Sequence, residues 1–207
     1  MNNMDNIVFY SRRNRVWLED GYIYKLILPG TDRPDTAQAA QAEADMLKHL
    51  LSGGVSVPRL FSINGDLLTM EYIKGITLVD AIERAEKIAD CLSAELLGEL
   101  ISRWFAEFYA TLPEGTIRGD VNCRNFILTP ENRLFGVDFE NLPHGQRETD
   151  LGRMTAYILT YSPPYTPYKR CLTQALTDCF ASHFKINYEL VFQNQANEIQ
   201  DMNRRRN

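Results

Sequence analysis

Asp120, Asn125 and Asp138 fall within one 25-residue stretch, "IRGDVNCRNFILTPENRLFGVDFEN", residues 117–141. Its apolar segments, "NFIL" and "RLFGVDF", flank "TPEN", a good turn sequence with proline at its second position. The pattern predicts a hairpin, with Asp120 and Asn125 on the loop entering its first strand and Asp138 at the end of its second. A tight hairpin brings those two ends together. Carboxylates are costly to bury unless they are paired or hold a metal. Two carboxylates and an amide oxygen are hard donors of the kind Mg²⁺ takes. One carboxylate has the alternative chemistry of accepting a proton from an attacking hydroxyl.

The hairpin needs elements to hold it. Upstream, "IVFY" and "RVWLEDGYIYKLIL" read as strands, the second pair turned at Asp20-Gly21. "PGTDRP" is a loop. Asp35 and Thr36 are candidate N-caps for the helical run "AQAAQAEADMLKHLL", which Gly53-Gly54 stops. "VPRLFSINGDLLTMEYI" reads as a further hairpin turned at Asn64-Gly65-Asp66. After "KGITL" the pattern turns helical. "SAELLGELISRWFAEFYATL" places Trp104, Phe105 and Phe108 on a broad core-facing stripe. Beyond the opening stretch, "DLGRMTAYILTY", "YKRCLTQALTDCF" and "YELVFQNQANEIQ" continue as helices, interrupted by the rigid loop "SPPYTP". The expected fold class is α+β with two lobes: a β-rich lobe carrying one main helix over residues 1–74, and a mostly helical lobe over residues 75–207 that includes the hairpin.

Composition sets the class of partners. In 207 residues, 44% hydrophobic and 24% charged, the formal net charge is −5, with no general electrostatic footprint for nucleic acid. The basic runs "SRRNR" and "NRRR" read as solvated ends. No apolar run approaches the roughly 18 residues of a membrane span, and the start lacks a signal-peptide pattern, so a cytoplasmic protein is expected. Cys91, Cys123, Cys171 and Cys179 show no C-x-x-C spacing and read as small buried hydrophobes; the three histidines form no zinc pattern.

"RGDVNCRN" resembles the catalytic loop of the protein-kinase-like superfamily, and "VDFE" its metal-binding D-F-G element. Upstream, "YIYKLI" offers Lys25 on the third expected strand, "AQAEADMLKHL" offers Glu43 on the next helix, and "LLTMEYIKG", with Glu71 and Ile73, resembles the hinge whose backbone hydrogen-bonds adenine. The resemblance covers roughly residues 20–160. Within the superfamily, "GVSVPRLF", "MEYIKG" and "ETDLGRM" look like segments of the small kinase subunit of the KEOPS tRNA-modification complex. "VDFEN" resembles the D-F-E of choline kinases and some aminoglycoside phosphotransferases. There is no A-P-E element.

The resemblance implies an ATP-dependent phosphotransferase using ATP and Mg²⁺, with Mn²⁺ an alternative. Lys25, held by Glu43, would bind the α/β-phosphates. Asn125 and Asp138 would hold the metal, and Asp120 would act as catalytic base on a hydroxyl-bearing acceptor of unspecified kind, small molecule or protein. There are departures. Arg118 stands before Gly-Asp, Glu140 replaces the glycine of D-F-G, and "YSRRNRVWLEDGY" has no G-x-G-x-x-G; Arg12, Arg13 or Arg15 is a substitute cation there. These departures sustain the rival reading, a catalytically silent kinase-like module that binds nucleotide or a partner protein. Each residue also has an ordinary reading: Asp138 a strand-end cap, Asp120 a Gly-Asp loop residue, Lys25 and Glu43 solvent-facing charges. Asp150 reads as the cap of "LGRMTAYIL" or an anchor for the catalytic loop.

Overall fold

A computed structural model describes all residues except 1–6, 10, 12, 32, 34, 89, 90 and 207, and leaves out the side chains of 91, 92 and 206. The chain is α+β. A five-stranded antiparallel sheet in the order β1-β2-β3-β5-β4 contains β1 (Ile7–Phe9), β2 (Asn14–Glu19), β3 (Tyr22–Ile27), β4 (Leu60–Asn64) and β5 (Leu67–Glu71). Its tight turns carry their own chemistry. Asp20 and Gly21 both adopt positive φ (50° and 82°), the geometry that matches the twist of a two-residue hairpin. Gly65, at φ 60°, turns the second hairpin.

Helix α1 (Thr36–Ser52) connects β3 to β4. Asp35 caps it, its carboxylate accepting from the Gln38 N–H at 2.9 Å. Gly54, at φ 88°, turns the chain out of the helix. Ala40, Glu43, Ala44, Leu47 and Leu50 share the buried face.

The remainder is mostly helical: α2 (Leu78–Ile88), α3 (Cys91–Thr111), α4 (Arg147–Thr160), α5 (Pro167–His183) and α6 (Tyr188–Arg206). A small sheet, β6 (Ile76–Thr77), β7 (Phe126–Leu128) and β8 (Leu134–Gly136), holds the predicted hairpin. Its strands are shorter than expected. Asn125 belongs to a 3₁₀ turn, Cys123–Asn125, and Val137 to Phe139 lie beyond β8. Helix α2 and β6 were not foreseen. Their local signal is Thr77-x-x-Asp80: the Thr77 hydroxyl accepts from the Asp80 N–H at 3.2 Å, a helix-start pattern.

As expected, Trp104, Phe105 and Phe108 are core, each at most 2% exposed. Trp104 stacks on Phe108 and meets Phe105 and Phe126 edge-on, while its indole N–H reaches the Ser56 carbonyl at 3.0 Å. Full burial of such a side chain contributes roughly 1.5–3 kcal/mol. Helices α3 and α5 approach closely at Gly98, where a Cβ would lie 2.8 Å from the Leu176 backbone nitrogen. Cys123 is buried as expected, but Cys171 and Cys179 are only partly so; Cys91 falls among the undescribed side chains.

Candidate functional site

Alternation along β3 puts Lys25 on the inward face with Ile23 and Ile27, and helical periodicity puts Glu43 on the buried stripe of α1. The two meet with both Glu43 oxygens at 2.8–2.9 Å from Lys25 Nζ. Neither faces solvent, so the surface reading of both fails. Asp138 Oδ1 lies 2.6 Å from the same ammonium and Glu140 Oε1 3.1 Å. Burial works against the Lys25 charge, but Glu43, Asp138 and Glu140 outweigh it and hold its pKa above the ordinary lysine value. Burial pushes Glu43 up, with Lys25 opposing. For Asp138, burial is overcome by the charge and hydrogen bond of Lys25 and by Arg118, which leave its pKa below the usual carboxylate range.

Asp138 adopts φ 68°, a left-handed conformation that aspartate tolerates better than most residues. The backbone around it is held from behind: the guanidinium of the fully buried Arg118 donates to the Val137 and Asp138 carbonyls at 2.6 and 2.7 Å and lies 4.5 Å over the Phe139 ring. The Phe139 N–H reaches Glu43 at 3.3 Å. Held in this way, the Asp138 side chain remains 42% exposed.

Asp120 is exposed, and its Oδ1 accepts from the Asn122 N–H at 3.1 Å. The loop before it is fixed by Asp150, which accepts from Tyr109 Oη (2.7 Å), Arg118 N–H (2.7 Å) and Gly119 N–H (2.9 Å). Asp150 is therefore an anchor and not a cap; α4 begins three residues earlier. Asn125 is half-buried, its carbonyl accepting from Val137 N–H at 2.9 Å across the hairpin.

One cleft of about 1730 Å³ runs along these elements. Lys25, Glu43, Glu71, Ile73, Asp120, Asn125 and Asp138 line it, with Val16, Ile23, Met70 and Ile127 as apolar walls. The Glu71 carboxylate is committed to the Arg59 N–H at 3.1 Å. Among the described residues, no hydrogen bond takes up the Ile73 backbone. Arg13 lines the cleft; Arg15 is exposed outside it, and Arg12 lies outside the described residues.

Sequence reasoning missed Arg33. From the loop before α1, it donates to Glu140 Oε2 at 2.8 Å, to Asn14 at 3.2 Å and to the Arg13 carbonyl at 2.9 Å. Asn14 also bonds Glu140. Arg33, Asn14 and Glu140 thus tie the β1–β2 connection to the segment after β8. No local pattern marks Arg33. Glu43, Asp138 and Glu140 can bring carboxylate oxygens within 4.8 Å of one another, the kind of oxygen set a hard divalent cation takes.

A sheet-rich half carrying a buried Lys–Glu pair, joined to a helical half carrying the Asp120 loop and Asp138, defines a class: the chain has the protein-kinase-like fold. The fold of a solved structure titled as the streptomycin–ATP–APH(2")-IIa ternary complex matches it with a TM-score of 0.63, over 95% of this chain and 91% of that one, at 12% identity. Among curated proteins, the chain is similar to a probable bifunctional tRNA threonylcarbamoyladenosine biosynthesis protein of Methanospirillum hungatei, 29% identical over 111 residues, 54% of this chain and 18% of that protein. It is likewise 30% identical over 97 residues to the EKC/KEOPS complex subunit BUD32 of Encephalitozoon cuniculi, 47% of this chain and 44% of that one. The chain therefore spans less than half the length of each of these two relatives. No family model matches it. Among the described residues, no helix is long and apolar enough to cross a membrane.

Proposed function

We propose that this chain is an ATP-dependent phosphotransferase that moves the γ-phosphate of ATP to an acceptor hydroxyl. The observation that carries the reading is the buried Lys25–Glu43 pair opening onto one cleft with Asp120 and Asp138. Lys25 binds the α/β-phosphates, Glu43 fixes its ammonium, and the backbone from Glu71 to Ile73 meets the adenine edge. Asp138 and Asn125 are the residues that would hold Mg²⁺ or Mn²⁺, which when bound neutralises charge on the β- and γ-phosphates. Asp120 orients the acceptor hydroxyl. The acceptor oxygen attacks the γ-phosphorus, the bond to the β–γ bridging oxygen breaks with its electron pair leaving on ADP, and the proton passes to Asp120. Almost all the catalysis is positioning and charge neutralisation.

A second reading is a nucleotide- or partner-binding module without turnover. It is favoured by the carboxylates around Lys25, whose ammonium donates to both Glu43 oxygens and to Asp138 and so has no N–H for a phosphate until Asp138 turns away. Calorimetric titration of ATP with and without Mg²⁺, beside ADP release, separates the two. Asp138→Asn keeps the shape and removes one charge, so it should weaken Mg²⁺–ATP binding at least about tenfold, or about 1.4 kcal/mol. Equal binding by variant and wild type would remove Asp138 from the metal site. Binding without turnover across a broad acceptor panel would favour the silent module.

A further inference from the structure

The cleft continues past Asp120 to a wall built by α4 and α6. Arg153 and Tyr157 come from α4, Tyr161 from the residue just after it, Glu198 and Arg205 from α6, and Arg124 from the 3₁₀ turn beside them. Resting on the phosphotransferase reading, this end is where an acceptor must lie, because Asp120, the base of that reading, borders the same cleft and its loop is tied to this wall through Arg153 and the Gly119 carbonyl.

Glu198 is 8% exposed and already satisfied. Arg205 Nη2 donates to one of its oxygens at 2.6 Å, and Arg153 Nε lies 3.4 Å from the other. Arg153 also donates to the Gly119 carbonyl at 3.3 Å, which fastens this wall to the Asp120 loop. A cationic acceptor would have to break a buried ion pair to reach Glu198. An anion meets no such obstacle: three guanidiniums stand here against two carboxylates, Asp120 and Glu198. The Arg205 side chain is 61% exposed and Arg124 is exposed, so both keep N–H groups free for a ligand.

The aromatic side of the wall is prepared as well. Tyr161 donates to Asn122 Oδ1 at 2.9 Å, and its ring lies near-parallel to that of Tyr157, 6.4 Å away. Burial, with Glu198 and Asp120 nearby, pushes the Tyr157 pKa up to about 12, so its hydroxyl stays a neutral donor. A half-buried ring face beside hydroxyl donors suits a sugar or polyol.

We infer that the acceptor is an anionic, hydroxyl-bearing small molecule of sugar or polyol size, its phosphate or carboxylate held by Arg124 and Arg205 and its body against Tyr157. This class is opposite in charge to streptomycin, the polycation in the ternary complex of the structural relative.

The test uses the full chain. Inorganic phosphate is titrated calorimetrically into protein saturated with AMP-PNP and Mg²⁺, and ADP release from ATP is measured with matched acceptors: glycerol, glycerol 3-phosphate and glycerate; glucose, glucose 6-phosphate and gluconate; and kanamycin. Phosphate should bind the nucleotide-loaded wild type and bind about tenfold more weakly to Arg205→Gln and to Arg124→Gln, with Arg204→Gln unchanged. An anionic acceptor should exceed its neutral counterpart about tenfold in kcat/KM, the difference lying in KM and lost in Arg205→Gln. Preference for the phosphate or the carboxylate members tells the two anion sources apart. Preference for neutral acceptors or kanamycin, stimulation by RNA alone, or phosphate binding absent or indifferent to both arginines would overturn the inference and leave the phosphotransferase reading standing. If AMP-PNP itself fails to bind, both fall.

Discussion

Lys25→Met strands a charge, and the structure says which one. The ammonium serves Glu43, Asp138 and Glu140. Without it, Asp138 turns its exposed side chain to water, and Glu140 keeps Arg33 and Asn14. Glu43 has neither recourse. It is 1% exposed and, among the described residues, retains only the Phe139 N–H at 3.3 Å. Removing one partner of a buried ion pair costs roughly 3–5 kcal/mol. At about 2–4 °C per kcal/mol for a chain of this size, the melting temperature should fall by about 6–20 °C. The double variant Lys25→Met/Glu43→Leu removes both charges and should recover to within about 1 kcal/mol of wild type, since apolar replacement of a whole buried pair is often neutral or stabilising. Glu43→Leu alone should cost less than Lys25→Met, because Lys25 keeps two carboxylates. Thermal and urea unfolding of the four proteins gives the comparison. A Lys25→Met melt within about 2 °C of wild type, or no recovery in the double variant, would refute the stranded-charge reasoning.

Asp120→Asn should lower kcat at least about 100-fold, within the 10²–10⁴ range of a general base, while ATP affinity by calorimetry stays unchanged; a fully active variant removes Asp120 from the mechanism. Gly98→Ala pushes a methyl to 2.8 Å from the Leu176 nitrogen and 3.0 Å from the Ala175 carbonyl carbon, forcing α3 and α5 apart. It should cost about 1–3 kcal/mol in urea unfolding without changing nucleotide affinity, and wild-type stability would refute the close approach.

The parts of this molecule that are legible in its sequence are those whose cause is local. Asp20-Gly21, the Asp35 cap and the aromatic stripe of α3 each carry their reason within a few residues. The hairpin is legible for the same cause, though its strands end earlier because Asp138 leaves the pleat at positive φ. Lys25 and Glu43 are ordinary charges taken singly; only their order ahead of Asp120 and Asp138 points to a common cleft. What escapes lies between distant segments. Arg33 and Glu140 are 107 positions apart, and Glu198 meets Arg153 from a different helix. Asp150 looks like a helix cap because its neighbours are helical, while its three donors come from α3 and from the loop before Asp120. Helix α2 is the exception: Thr77-x-x-Asp80 is a local signal that was there to be read.

The far end of α1 is stitched to the other half of the molecule. His49 bonds the Thr111 carbonyl at 3.0 Å, Gly53 packs so tightly on Thr111 that a methyl would not fit, and the Ser56 carbonyl accepts from both Trp104 and Gly136. Glu43 lies six positions before His49, about 9 Å along the axis, and is itself clasped by Lys25. A helix fastened at its end and at its middle has no free arm. A switch that works by swinging α1 away from β3 would have to tear out the Trp104 indole along with the ion pair. On the phosphotransferase reading, the Lys25–Glu43 pair is formed with α1 already in place, and no swing of that helix is needed to make it.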